Sequence, residues 1–343
     1  MLLVMAQLFL SKPTTTLMIY LALFQKDQVI DMILIVDDTY KFHKENMNFQ
    51  NNDKHYSFFT KRLPLKVTDM VNNSGSFIYF NPLIPFKNFP HHELPNAQNT
   101  YNDQNENSNQ EQAKDLRKIK YGIISVEKAV QDLKEWNAFA LAGRLQKPVL
   151  TFINVDTQEV NENKSSKISQ AIEQNRDQAL NLALFMNFHN PHKNLHLMDL
   201  YTDLCGFSYK GDIRMRMKME NPNKVKNVVI GSFDQLNEVY MPRLKQLEKN
   251  GYIEQIDEHE FKIRPNAQNV QHLFDNIPNK LKTGMKESVV QMSLKELQVD
   301  VNKNLEKIVF YTSIDMIFSG LYSTNPLKNL SYVYSKFKKG RAK

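Results

Sequence analysis

The sequence predicts an α/β (α+β) protein: a mixed-sheet domain followed by a mostly helical domain with a winged-helix outline. Three observations lead there. Short apolar runs at 29–38 and 75–84 are bounded by acids, glycine or proline, as buried strands are. Residues 119–152, "IKYGIISVEKAVQDLKEWNAFALAGRLQKPVLTF", read as strand, helix, glycine stop, two cations and a second strand. After residue 156 the apolar spacing turns helical, and "MPRLKQLEKNGYIEQIDEHEFKI" (241–263) gives a helix and then a β-hairpin.

In chain order, "MLLVMAQLFLSKPTTTLMIYLALF" is apolar, but Lys12, Pro13 and three threonines split it below the ~18 to 20 residues of a membrane span. Its scarcity of acids suits an organelle-targeting segment, whereas the absence of any arginine before Arg62 opposes one. "VIDMILIVDD" reads as a buried strand, and "GSFIYFNPLI" as a second one that starts at Gly75 and breaks at Pro82. "NAQNTYNDQNENSNQEQAK" (96–114) has too few apolar residues to order itself and reads as a disordered insertion. Strands at 121–125 and 148–155 flank a helix that Ser125 caps and Gly143 stops, with Val126, Val130, Leu133, Trp136 and Ala140 as its apolar stripe. Residues 166–188 have helical periodicity, Asn250-Gly251 ends the next helix, and "YIEQI" and "EFKI" form the hairpin. The chain is helical and increasingly basic from 301. These changes of character divide it into 1–160, 161–300 and 301–343.

The net charge of +7 and pI near 9.1 favour an anionic partner: a nucleic acid, a nucleotide phosphate or an anionic lipid surface. Hydrophobic residues at 41% against 24% charged ones are those of a folded chain. One cysteine, Cys205, excludes an intrachain disulfide framework and reads as a small buried hydrophobe.

Several groups could carry chemistry. Arg144 and Lys147, with Lys120 at the start of the preceding strand, could grip a triphosphate, Arg as a bidentate fork and Lys as a point charge. The plainer reading is that cations near a helix C-terminus offset its dipole. Asp31, Asp37 and Asp38 are the candidate metal ligands, since a carboxylate at a strand end suits Mg²⁺ when a nucleotide supplies further oxygens. A straight strand puts Asp31 and Asp37 roughly 20 Å apart, so they cannot share one ion, and a solvated turn competes for Asp37 and Asp38. His55-Tyr56 and His91-His92 lack the cysteine partner or helical His-x₃-His spacing of a zinc site.

Taken in order, "DMILIVDD", "FHKENM", "HYSFF", "IYFNPLI", "KYGIIS", "DLKEWN" and "LAGRLQKPV" resemble the mitochondrial phosphatidate cytidylyltransferases, the translocator assembly and maintenance family of CDP-diacylglycerol synthases. "GFSYKGDIRM" (206–215) is similar to a motif of that family's second domain, and "SGLYSTNPLKNLSYVYSKFKK" is a weaker echo near the end. The resemblance implies a nucleotidyltransferase-like first domain, a winged-helix-like second one and a membrane-touching C-terminal segment. It implies the reaction of CTP with phosphatidic acid to give CDP-diacylglycerol and pyrophosphate, with Mg²⁺, on the matrix side of the inner mitochondrial membrane. By the same resemblance Asp31 is catalytic and a metal ligand, and Lys120, Tyr121, Arg144 and Lys147 bind the nucleotide.

One departure stands out. The family carries a Gly-Ser-Gly phosphate loop before the catalytic Asp, where a backbone without side chains can approach the phosphates. Here no glycine precedes Gly75, and residues 21–30 have neither Gly nor Ser. Either a different N-terminus stands in place of the loop, or the chain is a non-catalytic relative that binds nucleotide or anionic lipid. In the tail, Leu327, Leu330, Tyr334 and Phe337 fall on one helical face beside Lys336, Lys338 and Lys339. That pattern fits an anionic membrane surface, and equally a helix packed on the domain. Nucleic acid is not an expected partner, because the acidic wing "EQIDEHE" would repel a phosphate backbone.

Overall fold

The computed structural model describes residues 2–7, 30–49, 52–86, 117–154, 160–188, 194–264, 266–285 and 293–324. The first part of the chain builds β1 (Leu2–Gln7), β2 (Ile30–Val36), α1 (Thr39–Asn48), α2 (Phe58–Arg62), α3 (Leu65–Asn73), β3 (Tyr79–Phe86), β4 (Arg117–Ser125), α4 (Val126–Glu135), α5 (Ala142–Leu145) and β5 (Leu150–Asn154). The second part adds α6 (Val160–Asn187), β6 (Leu195–His196), α7 (Leu197–Gly206), α8 (Ile213–Arg216), α9 (Lys224–Gly231), α10 (Phe233–Lys249), β7 (Ile253–Gln255), β8 (Glu260–Ile263), α11 (Ala267–Asp275) and α12 (Leu294–Ser323). This is a mixed α+β architecture. Among the described helices, none is long and apolar enough to cross a membrane.

The large sheet has the order β3-β4-β2-β1-β5, with β2 and β4 parallel at its centre and the other pairings antiparallel. β3 is an edge strand, and its register shifts between Asn81 and Ile84 around Pro82, which has no N–H to give a ladder. One face of the sheet carries Ile33, Ile35, Ile78 and Ile124 into the main core with α4, α6 and the second part of the chain. The opposite face carries Tyr79, Tyr121 and Ile123 into a smaller cluster with Tyr56, α1 and α3. The insertion at 96–114 lies outside the described residues.

In the second part, β6, β8 and β7 make a three-stranded antiparallel sheet beside α10, the helix-plus-hairpin outline expected from 241–263. Gly251 ends that helix with φ +80. Helix α12 begins with a capping box, Ser293 and Glu296 bonding reciprocally. It then runs across both parts. Gln298 Nε2 donates to Phe185 O at 2.7 Å, Thr312 Oγ1 to Ala138 O at 2.6 Å, and Ser76 N to Asp315 Oδ2 at 2.7 Å. Near its end, Ser57 Oγ donates to Tyr322 O at 2.6 Å.

One local expectation changes. The apolar stripe carries a helix from Ser125 to Gly143, yet α4 stops at Glu135, with Trp136 left-handed at φ 57. The cause is Asp132, fully buried one turn before the end. Its carboxylate accepts the backbone N–H groups of Ala138, Phe139, Leu141 and Ala142 at 2.6 to 3.1 Å. The chain folds around that anion instead of continuing the helix. Gly143 therefore lies inside the next short helix, α5, and is not a helix stop.

Candidate active site

Three segments meet at a cleft of about 150 Å³. The first part of the chain supplies Asp31, Lys120, Ala138–Ala140, Gly143, Arg144 and Lys147; the second part supplies Ser208, Tyr209, Asp212, Arg214 and Lys224; α12 supplies Val309, Thr312, Ser313 and Met316. Five cations thus face two carboxylates.

Asp31 and Lys120 are register partners on the two parallel central strands, so they emerge side by side. Lys120 Nζ lies 3.7 Å from Asp31 Oδ1 and 4.1 Å from the centre of the Phe80 ring. That ring lies over the strand because residue 122 is glycine: a Cβ there would sit 2.6 Å from Phe80 Cε1. Arg144 reaches the same ring at 5.5 Å and donates to Ala140 O, so one aromatic face steadies two cations. Burial pulls the pKa of Lys120 down, the Asp31 charge opposing and the Arg144, Arg214 and Lys224 charges reinforcing. Arg144 is lowered by the same cause, burial first.

Lys147 is held most firmly. It is buried, and its Nζ donates to Gly143 O at 2.8 Å and to Ser208 Oγ at 2.7 Å. Burial pulls its pKa down to about 8. Ser208 can come so close only because Gly143 has no side chain: a Cβ there would sit 2.7 Å from Ser208 Cβ. Lys147 thus bonds a carbonyl of α5, as a dipole partner would, while its ammonium also bridges to Ser208 in the second part of the chain.

From the "GFSYKGDIRM" segment come the groups that sequence spacing alone does not single out. Gly211 is left-handed at φ +85, and a Cβ there would sit 2.4 Å from Glu306 O of α12. This close approach fixes the turn. Asp212 follows, caps α8 through Arg214 N at 2.8 Å, and takes the Arg214 guanidinium bidentately at 2.6 and 3.1 Å. Its side chain is only 3% exposed, whereas Arg214 keeps 39% and lines the cleft. Lys224 joins them from the first turn of α9.

The remaining expected residues lie elsewhere. Tyr121 follows Lys120 and so points to the opposite face of the sheet, where its hydroxyl bonds Asn46 Nδ2 at 3.0 Å and His55 Nδ1 at 2.9 Å. Asp37 and Asp38 stand beyond the far end of β2 from Asp31, and Asp38 caps α1 by accepting from Lys41 N at 2.8 Å. Neither reaches the cleft. Lys336, Phe337, Lys338 and Lys339 lie outside the described residues. Cys205 is fully buried in α7, and burial pushes its thiol up to about 11, which leaves no nucleophile at neutral pH.

For a metal ion, the cleft offers Asp31 and Asp212, and Asp212 is committed to Arg214 and the α8 cap. Among the described residues no cluster of three or more His, Cys, Asp or Glu side chains could cage an ion. The donor set fits an ion held through Asp31 and completed by phosphate oxygens and water, which is how Mg²⁺ is usually bound beside a nucleotide.

Comparison with known proteins places the chain in a family. Residues 20–339 match the protein family described as "Phosphatidate cytidylyltransferase, mitochondrial". Proteins of that name from Schizosaccharomyces pombe and Mus musculus are 26% and 28% identical to this chain, each over 92% of it and over 75% and 84% of their own lengths. The Homo sapiens protein of the same name is 31% identical over 63% of this chain and 38% of its own length.

Proposed function

The chain belongs to the mitochondrial phosphatidate cytidylyltransferase family, and we propose that it transfers the cytidylyl group of CTP to phosphatidic acid. The cleft supports this reading best through one observation. Lys120, Arg144 and Lys147 from one domain face Arg214 and Lys224 from the other, and a single exposed carboxylate, Asp31, stands among them. The cleft lining carries more cations than carboxylates, and a triphosphate supplies the missing negative charge.

In the proposed reaction a phosphate oxygen of the lipid attacks the α-phosphorus of CTP, and the bond to the β-phosphate oxygen breaks. CDP-diacylglycerol and pyrophosphate leave. Charge builds on the leaving pyrophosphate, where the cations need no reorganisation: Phe80 and Ala140 O already hold Arg144, and Asp212 holds Arg214. Asp31 is the residue that would bind Mg²⁺, whose part is to neutralise phosphate charge when present. No enzyme nucleophile is required, consistent with the inert Cys205; catalysis here is positioning and electrostatics. Phosphatidic acid resides in a bilayer, so the setting we infer is the matrix face of the inner mitochondrial membrane, where the product serves cardiolipin synthesis.

The test is formation of CDP-diacylglycerol from labelled CTP and vesicles containing phosphatidic acid. Asp31→Asn should abolish it with little change in melting temperature, because Asp31 is half exposed and its ion pair with Lys120, at 3.7 Å, is weak. Turnover retained in that variant removes Asp31 from the mechanism. A second reading rests on the lack of any glycine before Gly75: a relative that binds CTP or anionic lipid without turnover. Calorimetric binding of CTP by the wild type with no product formed decides for it.

A further inference from the structure

We propose that Tyr121, held by His55 and Asn46, is a positioning residue that sets Lys120 in the cleft from the opposite face of the sheet. Lys120 needs such a support because the ladder around it is one-sided. On β2 its register partner is Asp31, but on β3 the register steps from Asn81, paired with Tyr121, to Ile84, paired with Ile119. Two residues of β3, 82 and 83, thus oppose Lys120 alone, and one of them is Pro82, which has no N–H to give. The cation beside Asp31 stands opposite a bulge, where an edge strand supports it least.

The missing support comes from side chains behind the strand. A circuit of hydrogen bonds leaves β4 at Ile123 and returns to it at Tyr121. Asn72 Nδ2 donates to Ile123 O at 3.0 Å, so its Oδ1, 2.9 Å from His43 Nε2, accepts from that ring. Burial holds His43 neutral, and its Nδ1 accepts the Tyr56 hydroxyl at 3.0 Å. Asn46 Oδ1 accepts from Asn52, which leaves the two hydrogens of Asn46 Nδ2 for two oxygens, Tyr56 OH and Tyr121 OH, each at 3.0 Å. The Tyr121 oxygen therefore receives one hydrogen and has its own to give. His55 Nδ1 lies 2.9 Å away, and burial pulls the His55 pKa down, so the ring is neutral at pH 7 and takes that hydrogen. Each donor in the circuit has an acceptor, and His43, Asn72, Tyr56 and Tyr121 are all buried, which makes the circuit stiff. Helices α1 and α3 thereby fasten β4 at residues 121 and 123, next to the Lys120 that β3 leaves unpaired.

An effect on CTP rests on the proposed function; the placement of Lys120 does not. His55 lies outside the cleft lining, so it can be changed without touching the nucleotide site. His55→Asn keeps an acceptor near the Nδ1 position, His55→Leu removes it, and Tyr121→Phe removes the hydroxyl itself. Lysines of the full chain are methylated with ¹³C-formaldehyde, and the Lys120 signal is assigned by its loss in Lys120→Arg. The Lys120 ammonium lies over the Phe80 ring, whose current moves the methyl protons upfield. That shift should persist in His55→Asn and fall toward the value of an exposed lysine in His55→Leu and Tyr121→Phe. With CTP and phosphatidic acid, kcat/KM should drop about tenfold in the latter two and recover in His55→Asn. In the Lys120→Ala background the same two substitutions should cost nothing further, because they act through Lys120. A Lys120 signal that no variant moves overturns the proposal, as does turnover indifferent to a moved signal. An equal drop in both backgrounds overturns it too, since that damage bypasses Lys120. Should Tyr121→Phe fail to fold, His55→Leu, at a half-buried side chain, decides. No turnover by the wild type refutes the enzymatic reading alone, and the methyl signals then decide the positioning.

Discussion

Replacing Lys147 with methionine should stabilise the substrate-free protein at neutral pH while removing its activity. Lys147 is 4% exposed, and its pKa falls from 10.5 to about 8 on burial. Between those values the unfolded chain holds a proton that the folded chain has released, so the unfolding free energy rises with pH across that window. Below pH 8 the folded state carries the full penalty, about 3 kcal/mol at 1.36 kcal/mol per pKa unit. Lys147→Met removes that penalty and also two hydrogen bonds, to Gly143 O and Ser208 Oγ, worth about 1 kcal/mol each. The variant should therefore be more stable than wild type by about 1 kcal/mol at pH 7 and less stable by about 1 kcal/mol at pH 10. Urea unfolding at both pH values measures this. Turnover at neutral pH should drop by about 100-fold or more, because the ammonium is one of the groups aimed at the triphosphate. A stability difference that keeps its sign and size between the two pH values would refute the account of Lys147 as a desolvated cation.

Three further substitutions probe the supports of the cleft. Gly211→Ala sets a Cβ against the Glu306 carbonyl at a left-handed position, so it should cost about 2 kcal/mol or more in denaturant unfolding and loosen α12. Asp132→Ala leaves four buried N–H groups without an acceptor and should cost about 3 to 5 kcal/mol, read as a lowered urea midpoint. Asp212→Asn keeps an oxygen to cap α8 but gives up the ionic fork, and it should raise the KM for CTP about tenfold with little change in unfolding midpoint.

Strands β2 to β5, the β7–β8 hairpin and the opening of α4 are legible from sequence because their signals are local, whereas β1, inside the split apolar N-terminal stretch, is not. An apolar run between acids becomes β2, and Ser125 accepts from Lys128 N at 3.2 Å as an N-cap should. The run of α4 beyond Glu135 is not legible. Asp132 looks like one more polar helix position until the loop wraps it, and only the folded loop shows four donors converging on it. The site was half legible for a related reason. Lys120, Arg144 and Lys147 sit in one strand–helix–strand unit whose spacing draws attention, and alternation along β4 would have turned Tyr121 away from Lys120. Asp212 and Arg214 lie in a short turn with no periodicity, and their position depends on Gly211 meeting a helix almost a hundred residues later.

The wall that α12 gives to the cleft sets the order in which activity can arise during the protein's own making. Asp31 leaves the ribosome early, whereas Thr312, Ser313 and Met316 are near the end of the described chain. The turn that aims Arg214 packs at Gly211 directly against Glu306 of α12. Every nascent or interrupted chain that lacks α12 would hold its charged residues without that wall of the cleft. A chain interrupted before Glu306 should therefore turn over no CTP.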